Sequence, residues 1–166
     1  MPKRDAHEGA GEVRLLAVDL GLKAGLAWYD ATGRLRSYRS TNFGTMSRLK
    51  KGAYAVLKRE PALTHVVIEG GGNVAIPWRK EARRRGLNLV ELHAQRWRRE
   101  LLYKRERASG SEAKAHAQRM AAGIIRWSGG SAPTSLKHDA AEAILIGLWA
   151  VQHLGWLKDP PDVHRL

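Results

Sequence analysis

The sequence contains 166 residues, and its 29 lysines and arginines against 16 aspartates and glutamates give a formal net charge of +13 at pH 7. This length accommodates one domain but not two substantial ones, and 43% hydrophobic with 27% charged residues is typical of a globular chain. The absence of cysteine excludes disulfides, thiolate zinc sites and a cysteine nucleophile, and the excess positive charge predicts a polyanionic partner, above all nucleic acid.

The chain also shows features that bear on where the protein works. Its first residues, MPKRDAHEGAGEV, lack the apolar centre of a signal peptide. No uninterrupted apolar run approaches the roughly 18 residues of a membrane span. We therefore expect a cytoplasmic protein that does not act at a membrane.

The first part of the chain predicts three strands. Residues 1–12 are polar and are expected to form a flexible lead-in. Residues 13–20 form an apolar run that is typical of a buried strand, and residues 25–29 and 34–41 follow as two more. Because these segments are close in sequence, we expect them to pair as an antiparallel meander.

Strands and helices alternate in the middle of the chain. Met46, Leu49, Ala53 and Leu57 recur at helical spacing, and Pro61 ends that helix. Residues 65–69 (HVVIE) predict a buried strand that three glycines follow. A basic helix is expected from Pro77 to about residue 85, and a fifth strand over residues 87–92.

The last part of the chain is predicted to be helical. We expect one helix over residues 95–107, a second one capped by Ser109 or Ser111, and a last one over residues 137–154. The order β-β-β-α-β-α-β-α-α-α predicts an α/β fold with a mixed five-stranded sheet and helices on both faces. The single domain is expected to span residues 13–158, with a C-terminal tail over residues 159–166.

Four carboxylates are candidates for a catalytic metal site. Asp19 and Glu69 each end an apolar strand, and Asp139 and Glu142 lie on one face at the start of the last helix. The carboxyl ends of parallel neighbouring strands meet at one sheet edge, where α/β proteins bind ligands. Buried carboxylates need a compensating positive charge, and oxygen ligands favour Mg²⁺ or Mn²⁺ over zinc.

Each carboxylate also has a purely structural interpretation. Asp19 precedes Gly21 and could serve simply to begin a turn, and Glu69 could be a loop carboxylate before the three glycines that follow it. Asp139 and Glu142 are favoured in a first helical turn by the helix dipole alone. The hypothesis of a metal site therefore depends on the convergence of all four.

Four segments together resemble the RuvC-like Holliday-junction resolvases of the ribonuclease H-like superfamily. They are LAVDLGLKAGLAWYD at 16–30, HVVIEG at 65–70, GSEAKAHAQRM at 110–120 and KHDAAEAILIGL at 137–148. Each motif is weak alone, but their order and spacing cover nearly the whole chain. The resemblance implies a ribonuclease H-like sheet and a nuclease that resolves four-way DNA junctions.

The resemblance also implies roles for individual residues. Asp19, Glu69, Asp139 and Glu142 match the family's four metal-binding acidic positions. Lys114 matches a lysine that contacts the scissile phosphate, and Lys104 is a candidate for a second one.

The implied mechanism is hydrolysis of phosphodiesters by two Mg²⁺ or Mn²⁺ ions, which would leave 5′-phosphate and 3′-hydroxyl ends. The family also implies a homodimer that pairs through the basic helix after Glu69, and no small-molecule cofactor. The short length and altered motifs are more similar to phage or plasmid members, which would place the protein in the cytoplasm of a bacterial host.

The sequence departs from the family pattern in two places. Three glycines follow Glu69 where the family often has an aromatic residue that stacks on bases, and the nearest aromatic here is Trp78. Glu142 stands where aspartate is more usual, so its carboxylate is one methylene further from the backbone. His138 adjoins Asp139, and we interpret it as a surface residue rather than as a base or ligand.

One segment, residues 79–107, carries eleven lysines and arginines against four glutamates. We expect this segment to contact DNA phosphates, and the affinity for DNA to fall steeply with salt. Trp78 and Trp97 lie among the arginines and are candidates for stacking on unpaired bases. The predicted DNA-binding residues are Trp78, Arg79, Lys80, Arg83, Arg84, Arg85, Lys104, Arg105, Arg107 and Lys114.

Two other functions remain open from the sequence. The first strand is also similar to that of the YqgF family, so a ribonuclease H-like nuclease acting on RNA or on an RNA/DNA hybrid is an alternative. A basic DNA-binding protein without catalytic activity is another. Cleavage in the presence of Mg²⁺ or Mn²⁺ separates this last alternative from both nucleases.

Overall fold

The central sheet has five strands in the order β3-β2-β1-β4-β5. The computed structural model describes residues 11–101 and 110–166. The strands are β1 Val13–Asp19, β2 Lys23–Asp30, β3 Leu35–Asn42, β4 His65–Glu69 and β5 Asn88–Leu92. β1, β2 and β3 pair antiparallel, whereas β4 pairs parallel with both β1 and β5. The predicted mixed α/β sheet is confirmed.

Five α-helices accompany the sheet in the described part of the chain. They are α1 Met46–Lys58, α2 Ile76–Arg84, α3 Ala94–Leu101, α4 Gly110–Trp127 and α5 His138–His153. A short 3₁₀ turn, Gly72–Ala75, precedes α2 where the sequence predicted only a glycine loop. Helix was expected to continue through residue 107, and residues 102–109 lie outside the described part.

The sheet separates two hydrophobic cores. Leu15 and Ala17 of β1 face the core that includes residues of α3, α4 and α5, whereas Leu16 and Val18 face the core formed with α1 and α2. All four side chains are fully buried. Alternate residues of a strand point to opposite faces, so helices on both faces explain why β1 is apolar without interruption.

Helix α5 is the most buried helix and lies against β1 and β2. Its residues from Ala140 to Val151 are all buried. Gly147 of α5 meets the Tyr29 ring, where an added Cβ would lie 2.2 Å from a ring carbon. The Tyr29 hydroxyl donates a hydrogen bond to the Ile144 carbonyl. These contacts pack the middle of α5 against β2. Among the described helices, α5 included, none is long and apolar enough to cross a membrane.

Candidate active site

Two of the four candidate carboxylates face each other across neighbouring strands. Asp19 is the last residue of β1, and Glu69 is the last residue of β4. The strands are parallel and Asp19 pairs in register with Glu69. Both side chains are half-buried. The structure thus brings Asp19 and Glu69 to the carboxyl edge of the sheet, as the sequence predicts.

The other two carboxylates come from the first turn of α5. Asp139 is half-buried, and Glu142 is buried with only 4% of its surface exposed. The Asp139 carboxylate accepts a hydrogen bond from the Ser40 hydroxyl at 3.3 Å. The start of α5 therefore lies at the same edge of the sheet as the ends of β1 and β4.

Asp19 experiences the combined field of the other three carboxylates. The pKa of Asp19 is raised from 3.8 to about 8. Burial is the largest cause, followed by repulsion from Glu69 and a hydrogen bond with it, and then by the charges of Glu142 and Asp139. Without a cation, this cluster holds a proton on Asp19 at neutral pH. A shared proton is how closely placed carboxylates reduce their repulsion when no cation is present.

Glu142 has two basic partners that the sequence did not reveal. Arg98 of α3 donates from Nη2 to both carboxylate oxygens, at 3.0 Å and 3.1 Å. His138 Nε2 lies 3.5 Å from Glu142 Oε1. Burial raises the pKa of Glu142, and the charges of Arg98 and His138 oppose that rise. The sequence pattern indicates no arginine or lysine that would neutralise these carboxylates, and this expectation is wrong for Glu142, which Arg98 contacts.

The donor set, more than its present arrangement, fits a divalent cation. In the described part of the chain, no three histidine, aspartate or glutamate side chains are arranged as a metal-binding group. The carboxylates are close enough to repel one another, yet Glu142 faces a guanidinium. Oxygen-only ligands suit Mg²⁺ or Mn²⁺. A cation here would replace the proton on Asp19 and the guanidinium on Glu142.

Lys114 lies in α4 near the carboxylate end of the domain. Gln118, one helical turn later on the same face, donates its amide to the Leu136 carbonyl at 2.9 Å. Leu136 comes two residues before α5 begins. Lys114 is exposed and lies one helical turn, about 5.4 Å, nearer the start of α4 than Gln118.

The predicted aromatic contact to DNA is wrong for Trp78. Trp78 is fully buried and packs edge-on against Phe43 in the core under α2. Trp97 is also fully buried, on the other face of the sheet. A ring without exposed surface cannot stack on a base. Trp78 and Ala82 lie four positions apart on the buried face of α2, so helical periodicity could have indicated this burial.

Helix α2 presents its cations unevenly to solvent. Lys80 and Arg83 are exposed, and Arg79 is paired with Glu91 of β5. Arg84 and Arg85 both contact the buried Glu81, at 3.6 Å and 3.5 Å.

Arg84 and Arg85 also lie beside the ring of Tyr54 in α1. An open depression of about 460 Å³ is lined by Ile76, Arg79, Lys80, Arg83 and Arg84. Lys104, Arg105 and Arg107, also predicted to bind DNA, lie outside the described residues.

Comparison with known proteins identifies the architecture. No family model and no curated protein matches the sequence. Among solved structures, the chain is similar to "T. thermophilus RuvC in complex with Holliday junction substrate", with a TM-score of 0.62 and 15% identity over 85% of this chain and 94% of that one. The chain has the RuvC fold. The yeast mitochondrial Holliday junction resolvase Ydc2 is also similar, with a TM-score of 0.54 and 12% identity over 89% and 83% of the two chains. The ribonuclease H-like fold expected from the sequence is thereby confirmed.

Proposed function

We propose that this protein is a metal-dependent endodeoxyribonuclease that resolves four-way DNA junctions. One observation carries the proposal: Asp19 and Glu69 pair in register at one sheet edge of a RuvC fold, beside the carboxylates of α5. The raised pKa of Asp19 shows that this cluster is costly without a cation. A sheet edge that only needed to be stable would not benefit from such a cluster.

The proposed cofactor is a pair of Mg²⁺ or Mn²⁺ ions, held by Asp19, Glu69, Asp139 and Glu142. When bound, the ions would activate water for attack on the phosphodiester and stabilise the leaving oxygen. Asp19 holds the central place, since all three other carboxylates raise its pKa. No small-molecule cofactor is needed for this chemistry.

Two basic side chains would contribute at the scissile phosphate. Lys114 of α4 is proposed to neutralise developing negative charge on the phosphate. Arg98 would leave Glu142 when a cation takes its place, which puts a guanidinium beside the substrate. Its side chain is 41% exposed and is therefore accessible to DNA.

The remaining substrate contacts are proposed for α2 and for residues 104–107. Lys80, Arg83 and Arg84 are the exposed cations of α2, and together with Arg79 they line the 460 Å³ depression. Four cations around one depression fit the phosphates of a DNA backbone.

We propose in addition a C2 homodimer, because a four-way junction has two symmetric strands to cut and each chain carries one site. If α2 is the dimer contact, as the sequence resemblance implies, its positive charge favours pairing on a polyanion.

The test is cleavage of matched synthetic substrates by the purified chain. An end-labelled four-way junction, a linear duplex of the same sequence and an RNA/DNA hybrid are incubated with Mg²⁺, with Mn²⁺ or with EDTA. We expect cleavage of the junction alone, and only with metal. Cutting of the hybrid instead would show a ribonuclease, and junction binding without cutting in either metal would show a non-catalytic DNA-binding protein.

A further inference from the structure

We propose that Gly25 and Ser40 are positioning residues that set where Asp139 lies relative to Asp19. Gly25 is in β2 and Ser40 is in the edge strand β3. They are called here the α5 support. This inference deepens the proposed function and rests on it, since it assigns the support a purpose in cation binding.

The support lies in one row with the strand-end carboxylates. Glu69 pairs with Asp19, Asp19 with Gly25, and Gly25 with Ser40. Paired residues of adjacent strands point to the same face of a sheet. Four neighbouring strands thus present Glu69, Asp19, Gly25 and Ser40 side by side, and α5 begins above the Gly25–Ser40 half of that row.

Gly25 is required because the backbone of α5 occupies the place of a side chain. An added Cβ at Gly25 would lie 1.7 Å from the Asp139 carbonyl oxygen and 2.3 Å from its carbon. It would also lie 3.0 Å from the Ala140 amide nitrogen. These are backbone atoms, so no rotamer change relieves the clash, and α5 would have to move. Gly25 has no positive φ, so the requirement is for space rather than for conformation.

Ser40 holds the side chain of Asp139, the residue whose backbone packs against Gly25. Its hydroxyl donates to Asp139 Oδ2 at 3.3 Å. β2 lies between β1 and β3 in the sheet, so Ser40 and Asp19 are on opposite sides of it. Ser40 therefore holds one oxygen of the Asp139 carboxylate from the side opposite Asp19. The second oxygen remains as a potential cation ligand. Hydrogen bonds that orient a ligating carboxylate typically change metal affinity by an order of magnitude or more.

The chain offers matched controls for both residues. Ser37 is an exposed serine of the same strand, and it lines a depression beside Val56 of α1 on the opposite face of the sheet. Gly147 is a glycine of α5 whose added Cβ would meet a side chain, the Tyr29 ring, rather than the backbone near Asp139. Ser40→Thr retains the hydroxyl that Ser40→Ala removes.

The experiment measures Mn²⁺ affinity by calorimetry and the Mn²⁺ dependence of junction cleavage. We expect Ser40→Ala to weaken Mn²⁺ binding roughly 10-fold, and to need correspondingly more Mn²⁺ for half-maximal cleavage. Its melting temperature without metal should stay close to that of the wild type. Ser37→Ala should bind as the wild type does, and Ser40→Thr should restore most of the affinity.

Gly25→Ala extends the test to the backbone contact. If it folds by circular dichroism, we expect it to lose stabilisation by Mn²⁺, whereas Gly147→Ala should be destabilised but keep that stabilisation. A Ser40→Ala protein that binds Mn²⁺ as tightly as Ser37→Ala overturns the inference alone. A wild-type protein that neither binds Mn²⁺ nor cuts DNA overturns the proposed function, and the inference with it.

Discussion

Asp19 and Glu69 lie opposite each other in register at the ends of parallel strands, and Glu69 helps to keep a proton on Asp19. Burial and Glu69 are the two largest causes of the pKa of about 8 at Asp19. A pair of strand-end carboxylates in this state is prepared to exchange a proton for a metal ion. This relationship links the fold to the proposed chemistry.

Neutral isosteres at the strand ends should abolish cleavage without abolishing DNA binding. We expect Asp19→Asn and Glu69→Gln each to reduce the rate of junction cleavage by at least about 10³-fold, because each removes a charge that would hold the cations. Gel-shift affinity for the junction should stay within a few-fold of the wild type. Glu112→Gln, an exposed change in the first turn of α4, serves as the control and should retain full activity. Substantial cleavage by Asp19→Asn would contradict the proposed site.

The stability of the metal-free protein should show the cost of ionising Asp19. The pKa of Asp19 in the folded protein is about 8, above the 3.8 of an unperturbed carboxyl. The folded state therefore holds a proton that the unfolded state has lost, and stability falls as pH rises from about 4 to 8. Each unit of pKa difference corresponds to about 1.4 kcal/mol.

Asp19→Asn removes this cost, so its advantage over the wild type should grow with pH. We expect the metal-free variant to melt about 5 °C or more above the wild type at pH 8, and with little difference at pH 4. Saturating Mg²⁺ should reverse the order, since only the wild type gains a bound cation. Thermal melts at several pH values, with EDTA and with Mg²⁺, measure both effects. Parallel curves for the two proteins would refute the raised pKa.

Loss of the Arg98 contact should make the protein more dependent on metal. Arg98 compensates the buried Glu142, and removing one partner of a buried ion pair leaves an uncompensated charge. We expect Arg98→Gln to lower the melting temperature in EDTA and to gain more from Mg²⁺ than the wild type does. Arg99→Gln, an exposed neighbour, is the control. An equal Mg²⁺ gain in Arg98→Gln and the wild type would show that the guanidinium and the cation do not compete.

The exposed cations of α2 should carry part of the salt dependence of DNA binding. Each phosphate contact contributes about 0.9 to the slope of log K against log salt on duplex DNA. We expect Lys80→Ala and Arg83→Ala each to reduce the slope for junction binding by roughly 1.

Arg126→Ala is the matched control for these variants. Arg126 is exposed at the C-terminal end of α4, where Trp127 contacts Arg34 beside the β2–β3 turn, remote from the carboxylates. It should leave the slope unchanged. Equal slopes for Arg83→Ala and Arg126→Ala would exclude α2 from the DNA contact.

The parts of the site that lie on strands could be predicted from the sequence. Asp19 and Glu69 interrupt apolar runs at points where strands end, and parallel pairing then fixes their proximity. The burial of Trp78 could be predicted too, since its spacing from Ala82 indicates a buried helix face. Composition misled there, because the surrounding arginines suggested a DNA surface.

Other parts of the site depend on tertiary contacts that no local pattern encodes. The Arg98–Glu142 pair joins two helices separated by 44 positions, and nothing distinguishes Arg98 from its arginine neighbours before α3 and α5 pack. In the sequence, Gly25 is indistinguishable from any other glycine in a strand. Only the packing of α5 against it shows why a side chain is excluded there.

Mapping of the cut sites on a four-way junction is the most direct test of the proposed junction-resolving activity. Each of the four strands is labelled in turn, the junction is incubated with Mg²⁺ or Mn²⁺, and the products are sized and treated with DNA ligase. We expect paired nicks at symmetric positions on two opposing strands. Ligase should seal them because they carry 5′-phosphate and 3′-hydroxyl ends, and they should be absent with Asp19→Asn. Unpaired nicks scattered over all four strands, or nicks that persist in Asp19→Asn, would contradict the proposed activity.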